Sequence, residues 1–429
     1  MKLDRGGLVR GILGSTVVAW VTMLSVILVM ANEVAIPLDF VLRPALVALL
    51  PAVIIGIICG PFGHIGRVGA IVAGPIVIFP ELWALAAGLA GIEAAIWLLQ
   101  RRTSSPRLRI GQFALVTMLV LFGLSVVRLL PSVTDYVSSA SGPPDAPRPP
   151  VYLVLLDGYP RLDELAKLGI DNGAFIGQLD DRGFDHYPDA TSVHQWTHRT
   201  LQAMIAGSAD GIPDEAGATT EQQAVRAALQ LPSGFVSIDP PASHVVMRGG
   251  QQLTAGGMND FEVRLLGTSL VGVLARDWAA NFVADSLRAH FEGSLRLMVA
   301  SESTRTFTHV LAPHPPFLYA GGVAECWPGC NIIDVEASQL GISIEEWAGR
   351  MSGQLAAVNA RVLAAIDEII EGDPDAVIVL FSDHGGRYDI TLPEIYNTFL
   401  AARTPGNPRL FEAEPHPHAL LRLTLEAYP

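Results

Sequence analysis

Apolar residues follow two regimes along this chain. Long uninterrupted runs occupy roughly 8–30, 40–59, 68–99 and 110–130, whereas from residue 151 onward short β-branched runs alternate with stretches of helical period. Each long run is near or above the ~20 residues a helix needs to cross a bilayer core. The third is too long for one comfortable span. Pro80 and Glu81 near its middle, in FPELW, predict a tight turn between two short helices. Counted as a hairpin, it brings the prediction to about five crossings, an all-α transmembrane bundle over residues 1–131.

The basic residues then set the orientation. Lys2, Arg5 and Arg10 precede the first run, Arg67 lies in the second connection, and RRTSSPRLR (101–109) precedes the last. Cytoplasmic loops collect Lys and Arg. Five spans place all three clusters on the cytoplasmic side and everything after Leu130 outside, whereas four would turn the arginine-rich loop outward. A removable signal peptide is the rival for the first run, but that run exceeds the usual apolar core of a signal and no small-residue cleavage site follows it. The prediction is a multi-pass protein of the inner (cell) membrane with an extracytoplasmic C-terminal domain. Residues 132–150, ending in SSASGPPDAPRPP, are too poor in apolar side chains to pack and read as a linker.

From Val151 to the C-terminus, VYLVLL, HVVM, FTHVL and AVIVLF are separated by helix-like stretches such as GQLAAVNARVLAAIDEII. Continuous apolar strands alternating with helices predict an α/β domain on a mostly parallel sheet flanked by helices, over 151–429.

Composition sharpens this division. The 429 residues are 50% hydrophobic and 16% charged, too apolar for an ordinary soluble enzyme. Residues 1–131 carry ten Lys/Arg against five Asp/Glu, and residues 132–429 carry eighteen against thirty-seven. So acidic a domain repels phosphate backbones, which argues against nucleic-acid binding; a small anionic substrate would need a metal. Of the three cysteines, Cys59 lies in an apolar run, and Cys326 and Cys330 lie within CWPGC. That pair is too few for a zinc site but spaced for a small disulfide loop outside the cytoplasm.

In parallel sheets, functional residues gather beyond the carboxyl ends of the strands. VYLVLL runs straight into Asp157 and Gly158, and AVIVLFS runs into Asp383, His384 and Gly385. Carboxylate oxygens with an imidazole suit one divalent cation, zinc or manganese by donor chemistry, with calcium also open. Asp-Gly alone is a common turn; Asp-His-Gly after a buried strand is rarer.

VYLVLLDGY and AIDEIIEGDPDAVIVLFSDHGG resemble the first and last core motifs of the sulfatase-like branch of the alkaline phosphatase superfamily. That superfamily places a nucleophilic Ser, Thr or modified Cys at a helix N-terminus, ten residues before a glycine. THRTLQAMIAG, Thr197 to Gly207, has that spacing. The resemblance makes Thr197 the attacking group and, with Asp157, Asp383 and His384, a ligand of the metal. Metal coordination lowers a hydroxyl's pKa and a helix N-terminus stabilises an anionic oxygen, although threonine also serves as a plain helix cap. Thr200, one turn on, is the competing nucleophile.

THVLAPHPPFLY (308–319) resembles a family strand and Pro-His-x-Pro-aromatic turn whose histidine faces the substrate. It marks His309 and His314 as substrate-binding. His194 and His198 flank Thr197, and His416 and His418 lie where two-metal members keep a late ligand; Arg161 and Arg387 are candidates for an oxyanion or a nearby carboxylate. Formylglycine-type sulfatases need Cys or Ser followed by x-Pro-x-Arg, whereas this chain has Thr197-His198-Arg199-Thr200. Sulfate esters are therefore disfavoured, and the resemblance is to phosphoethanolamine and phosphoglycerol transferases and nucleotide phosphodiesterases. It implies a hydrolase or phosphotransferase acting on an envelope lipid or glycan. The alternatives are a catalytically silent envelope scaffold and a transporter-like role for the spans; charges such as Glu93 and Arg43 are sparse within or at the margin of the apolar runs, which gives a polar pathway little support.

Overall fold

A computed structural model of the chain describes residues 5–33, 38–62, 64–78, 149–210, 227–240, 245–320, 327, 341–386, 388 and 393–429. The FPELW turn, Glu93, the last apolar run, the linker up to residue 148, the cysteine pair Cys326 and Cys330, and Arg387 lie outside these residues. The chain divides into two compact units, Met1–Val137 with Phe261–Ala279, and Ser138–Asp260 with Ala280–Pro429.

Among its described residues the first unit is all-α. It contains α1 (Arg5–Glu33), α2 (Leu38–Val47), α3 (Leu49–Cys59) and α4 (His64–Ile78). Among the described residues two stretches are long and apolar enough to cross a membrane, Gly6–Leu28 and Val41–Phe62. The second carries a break at Ala48, because neither Pro44 nor Pro51 has an amide to donate to the preceding turn. Small residues let these helices meet backbone to backbone: a Cβ on Gly60 would collide with the main chain of Ile12, one on Gly56 with Thr16, and one on Gly66 with the Cys59 carbonyl. Gly56 and Gly60 form a G-x-x-x-G pair, the spacing that allows close helix crossings in lipid.

The second unit is α/β. In chain order it holds β1 (Val151–Leu156), α5 (Leu162–Lys167), α6 (Gly173–Asp180), β2 (Asp185–His186), α7 (Thr197–Ala206), β3 (Ala227–Gln230), β4 (Val236–Ile238), β5 (Val245–Arg248) and β6 (Gln251–Leu253). The chain then forms α8 (Asp260–Thr268) and α9 (Leu270–Leu274), whose residues from Phe261 on group with the first unit, and α10 (Arg276–Val299), which starts there. Back in the second unit follow β7 (Arg305–Val310), α11 (Ile344–Gly372), β8 (Val377–Phe381), β9 (Leu400–Arg403) and α12 (Pro417–Ala427).

Among the described residues seven strands form one sheet in the order β2-β9-β8-β1-β7-β4-β6. All pairings are parallel except those of β9, which runs antiparallel to β8 and β2 at one edge. A sheet buried on both faces needs apolar residues at every position, and β1 supplies them. Tyr152, Val154 and Leu156 enter one core with Trp347, Met351, Leu355, Val358 and Ile366 of α11. Val151, Leu153 and Leu155 enter the other with Leu201 and Met204 of α7 and Leu420 of α12. The central register is unbroken, with Val154 opposite both Thr308 of β7 and Leu380 of β8. Three parallel strands thus end level with one another, and whatever follows each of them is delivered to the same edge.

Candidate metal and catalytic centre

At that edge β1 ends in Asp157, β8 leads through Ser382 to Asp383 and His384, and β7 leads through Leu311 to His314. Ligand atoms of Asp157, His314 and His384 lie within 4.8 Å of one another, and all three residues are buried. His384 Nε2 is 3.4 Å from Asp157 Oδ1 and 3.5 Å from Asp383 Oδ2. Neither of these carboxylate oxygens has a hydrogen-bond partner. Buried carboxylates without partners are expensive unless a cation compensates them.

The imidazoles are oriented for that role. His384 Nδ1 is 2.7 Å from the Gly385 carbonyl, and His314 Nδ1 is 2.5 Å from the Pro315 carbonyl. A carbonyl can only accept, so each Nδ1 donates, which fixes each ring with its Nε2 turned away from that carbonyl, the arrangement that outer hydrogen bonds impose on metal-bound histidines. The mixed oxygen and nitrogen donor set fits a borderline divalent cation such as zinc or manganese better than an all-oxygen calcium site.

His309 has a different place from the one expected. It is buried within β7, and its Nε2 lies 2.9 Å from Asp157 Oδ2. For Asp157, burial works against ionisation, but contacts from His309 and His384 and the charge of His314 outweigh it. Its carboxyl is held well below the usual range. For His309, burial likewise opposes protonation, and the Asp157 hydrogen bond and charge more than offset it, raising the imidazole above its ordinary value. The two shifts agree that the pair is ionic.

Thr197 is the first residue of α7 and lines a cavity with Asp157, His290, Phe291 and His314. Trp196 precedes it and supplies no side-chain cap, so Thr197 stands at the N-terminus of the helix, whose partial positive charge favours an anion. Ten residues later Gly207 ends the helix in the left-handed conformation, at φ 69°. Thr200 is 1% exposed, and its hydroxyl lies 3.1 Å from both the Asp383 carbonyl and Ser192 Oγ. It fastens α7 to the Asp383 turn and does not face the cavity.

Other sequence candidates are engaged elsewhere. Arg161 forms a two-pronged ion pair with Asp163, at 2.7 and 2.8 Å. His416 holds Thr191, with Nδ1 2.9 Å from its carbonyl, and its ring stacks on His418. His194 is buried, its carbonyl accepting from Ser192 and Thr200, and His198 is half-buried beside Thr197.

Several residues that shape the centre carry no sequence signal. Ser382 accepts from the Tyr159 amide at 2.8 Å and donates to the His384 carbonyl at 2.6 Å, tying the turn after Asp157 to the one that carries His384. The Gly158 amide adds a bond to Asp383 Oδ1 at 3.2 Å. Tyr159 is fixed in turn by a closed ring of hydrogen bonds among its hydroxyl, Asn172 and Asn359. His290, on the cavity wall, sits with Nδ1 3.0 Å from the Gly256 carbonyl and Nε2 3.2 Å from Ser294 Oγ, and burial pushes it down to about 4.

Distant likenesses to the chain are found among solved structures. The chain is similar to the phosphonate monoester hydrolase of Agrobacterium radiobacter, with 14% identity over 61% of this chain and 69% of that one and a TM-score of 0.35. It is similar to the C-terminal periplasmic domain of EcEptC from Escherichia coli in complex with zinc, with 13% identity over 66% and 82% and a TM-score of 0.35. It is also similar to the integral membrane lipooligosaccharide phosphoethanolamine transferase A of Neisseria meningitidis, with 12% identity over 82% and 68% and a TM-score of 0.32. The likeness is one of fold. No protein-family model matches the chain, and no curated protein does.

Proposed function

We propose that this protein is a membrane-anchored, metal-dependent hydrolase or phosphotransferase of the sulfatase-like type, with Thr197 as its nucleophile. The observation that carries this reading is the convergence of Asp157, His314 and His384 on one point beside the cavity that Thr197 lines. Asp157, His384 and His314 would hold one divalent cation, with Asp383 and Thr197 completing the set. Such a cation polarises a phosphoryl oxygen and makes a bound hydroxyl more acidic.

The chain's own groups define the rest. Thr197 Oγ forms the bond to phosphorus as the bond to the leaving oxygen breaks in line, the hydroxyl proton is given up and the leaving oxygen takes up a proton, and the N-terminal end of α7 stabilises the anionic phosphoryl oxygens. Water or an acceptor alcohol then takes the group from the threonine ester, and the hydroxyl is restored. His309 acts through Asp157, holding its carboxylate ionised and fixed in orientation. His314 stands closer to the ligand set than the substrate-binding role expected of it. The substrate class is a phosphate-type ester of an envelope lipid or glycan, reached from a domain outside the cytoplasm, with apolar helices as the anchor.

The test uses the full chain in detergent. Bound metal is measured by elemental analysis, and turnover of an aryl phosphodiester is compared for wild type, Thr197→Ala and Thr200→Ala. Thr197→Ala should bind metal more weakly than wild type and, at saturating metal, lose about a thousandfold or more in kcat. Thr200→Ala should keep most of its turnover. Turnover surviving in Thr197→Ala but lost in Thr200→Ala would transfer the role to Thr200, and wild type with neither metal nor turnover would favour a silent scaffold.

A further inference from the structure

A patch of exposed apolar side chains lies in the middle of the sequence, far from the N-terminal helices. Val271, Val273 and Leu274 of α9 and Trp278 in the first turn of α10 are all exposed, Leu274 at 76% and Trp278 at 56%. Outside α1 to α4, few other large hydrophobics of the described residues are as open. The turn that projects them is firmly built. Ser269 caps α9 by accepting from the Gly272 amide at 3.1 Å, and Gly272 packs so closely on the Leu266 carbonyl that no side chain would fit there. The side chains are therefore held outward.

The anchoring of this segment says what covers it. Phe261 and Leu265 of α8 are buried in one core with Met23, Ile27 and Ala31 of α1, Val41 of α2 and Ile78 of α4. Those residues mark a common end of the apolar helices, where Gly6–Leu28 finishes and Val41–Phe62 begins. At the same end Arg43, whose side chain is largely exposed, is ion-paired with Glu262 of α8, whose carboxylate is buried. A charged pair at the terminus of an apolar helix belongs at the membrane boundary, where a polar group can still reach water. α9 in turn packs on α4. The patch thus belongs to a segment held at that end of the apolar helices, and its composition of aliphatic side chains, one tryptophan and the neighbouring Arg276 is that of an interfacial segment.

We propose that α9 and the first turn of α10 form a non-spanning foot, with Val271, Val273, Leu274 and Trp278 inserted into the headgroup and acyl boundary of the bilayer. The occupant of the patch is the lipid leaflet at the end of α1 where α2 begins. This inference rests on the reading of α1 and of α2 with α3 as membrane-spanning, and it adds a lipid contact that begins more than 200 residues after those helices.

The test is photocrosslinking of the full chain reconstituted in vesicles of phosphatidylcholine and phosphatidylglycerol. p-Benzoylphenylalanine replaces Leu274, Trp278 or Leu50 in separate preparations, and adducts are identified by mass spectrometry. Leu50, exposed on the second apolar stretch at 69%, reports on the spanning helices. Lipid adducts at Leu50, Leu274 and Trp278 are the expected result. Lipid at Leu50 with none at Leu274 and Trp278, or links there from one chain to another, would overturn the foot and leave the spans intact. Absence of lipid at all three positions would overturn the spans and the foot with them.

Discussion

Ser382 is the side chain on which the shape of the centre turns, and its removal has a calculable effect. Its hydroxyl is fully buried and joins two turns that lie more than 200 residues apart in the chain, accepting from the Tyr159 amide at 2.8 Å and donating to the His384 carbonyl at 2.6 Å. Ser382→Ala leaves the Tyr159 amide buried without a partner, which costs about 1–3 kcal/mol, and removes a second bond of about 1 kcal/mol. The sum, roughly 3 kcal/mol, corresponds to a fall of roughly 5–10 °C in Tm for a domain of this size. Loosening of the two turns lets Asp157 move relative to Asp383 and His384, and loss of such an outer hydrogen bond lowers metal affinity about 10- to 100-fold. Thermal unfolding followed by tryptophan fluorescence in detergent gives the first quantity, and competition titration with a metal chelator gives the second. A variant with wild-type Tm and wild-type metal affinity would refute the view that Ser382 holds the ligand-bearing turns together.

Three further outcomes follow from the same structure. His290 is held neutral in the fold with its pKa down at about 4, against about 6.5 when unfolded, so the unfolded chain binds the proton first. Stability should therefore fall as pH drops from about 6.5 toward 4, by at most roughly 3 kcal/mol from this residue, and His290→Asn should flatten that part of the Tm-against-pH curve relative to wild type. Thr200→Ala removes a buried hydroxyl shared by Ser192 and the Asp383 carbonyl; it should lower stability by about 1–2 kcal/mol, read as a Tm shift, while turnover stays within about tenfold. Gly60→Leu drives a side chain into the main chain of Ile12 and should destabilise the helical unit by about 1–3 kcal/mol, seen as earlier thermal aggregation in detergent with the metal affinity of the second unit unchanged.

Much of the architecture was readable from one dimension, for identifiable reasons. An apolar run that buries all its surface looks the same to lipid and to sequence inspection, so α1 and the helices from Leu38 to Cys59 lie where the runs at 8–30 and 40–59 put them. The break at Ala48, between Pro44 and Pro51, was not anticipated; it depends on missing amides rather than on hydrophobicity. VYLVLL and AVIVLF are β1 and β8 because strands buried on both faces must be apolar at every position. THRTLQAMIAG is α7 with its glycine terminator because Gly207 needs a left-handed backbone that other residues resist. The aspartates and the histidine at the strand ends were legible because parallel strands in register deliver their next residues to one edge.

Tertiary structure decided what those residues do for one another. Sequence favoured Thr197 and kept Thr200, one turn on, as its rival; packing turned Thr200 inward onto Asp383 and left Thr197 facing the cavity. His309 and His314 formed one motif in the sequence, yet one lies inside a strand against Asp157 and the other comes together with Asp157 and His384, since a strand residue and a loop residue have different freedom to reach. Ser382, Asn172, Asn359 and Ser192 are common polar residues whose importance comes only from partners far away in the chain. The return of Phe261 to Ala279 to the N-terminal unit, sealed by Arg43 and Glu262, has no local period to announce it. Local backbone preference and burial write themselves along a chain, whereas pairwise contacts across 200 residues exist only once the chain has closed on itself.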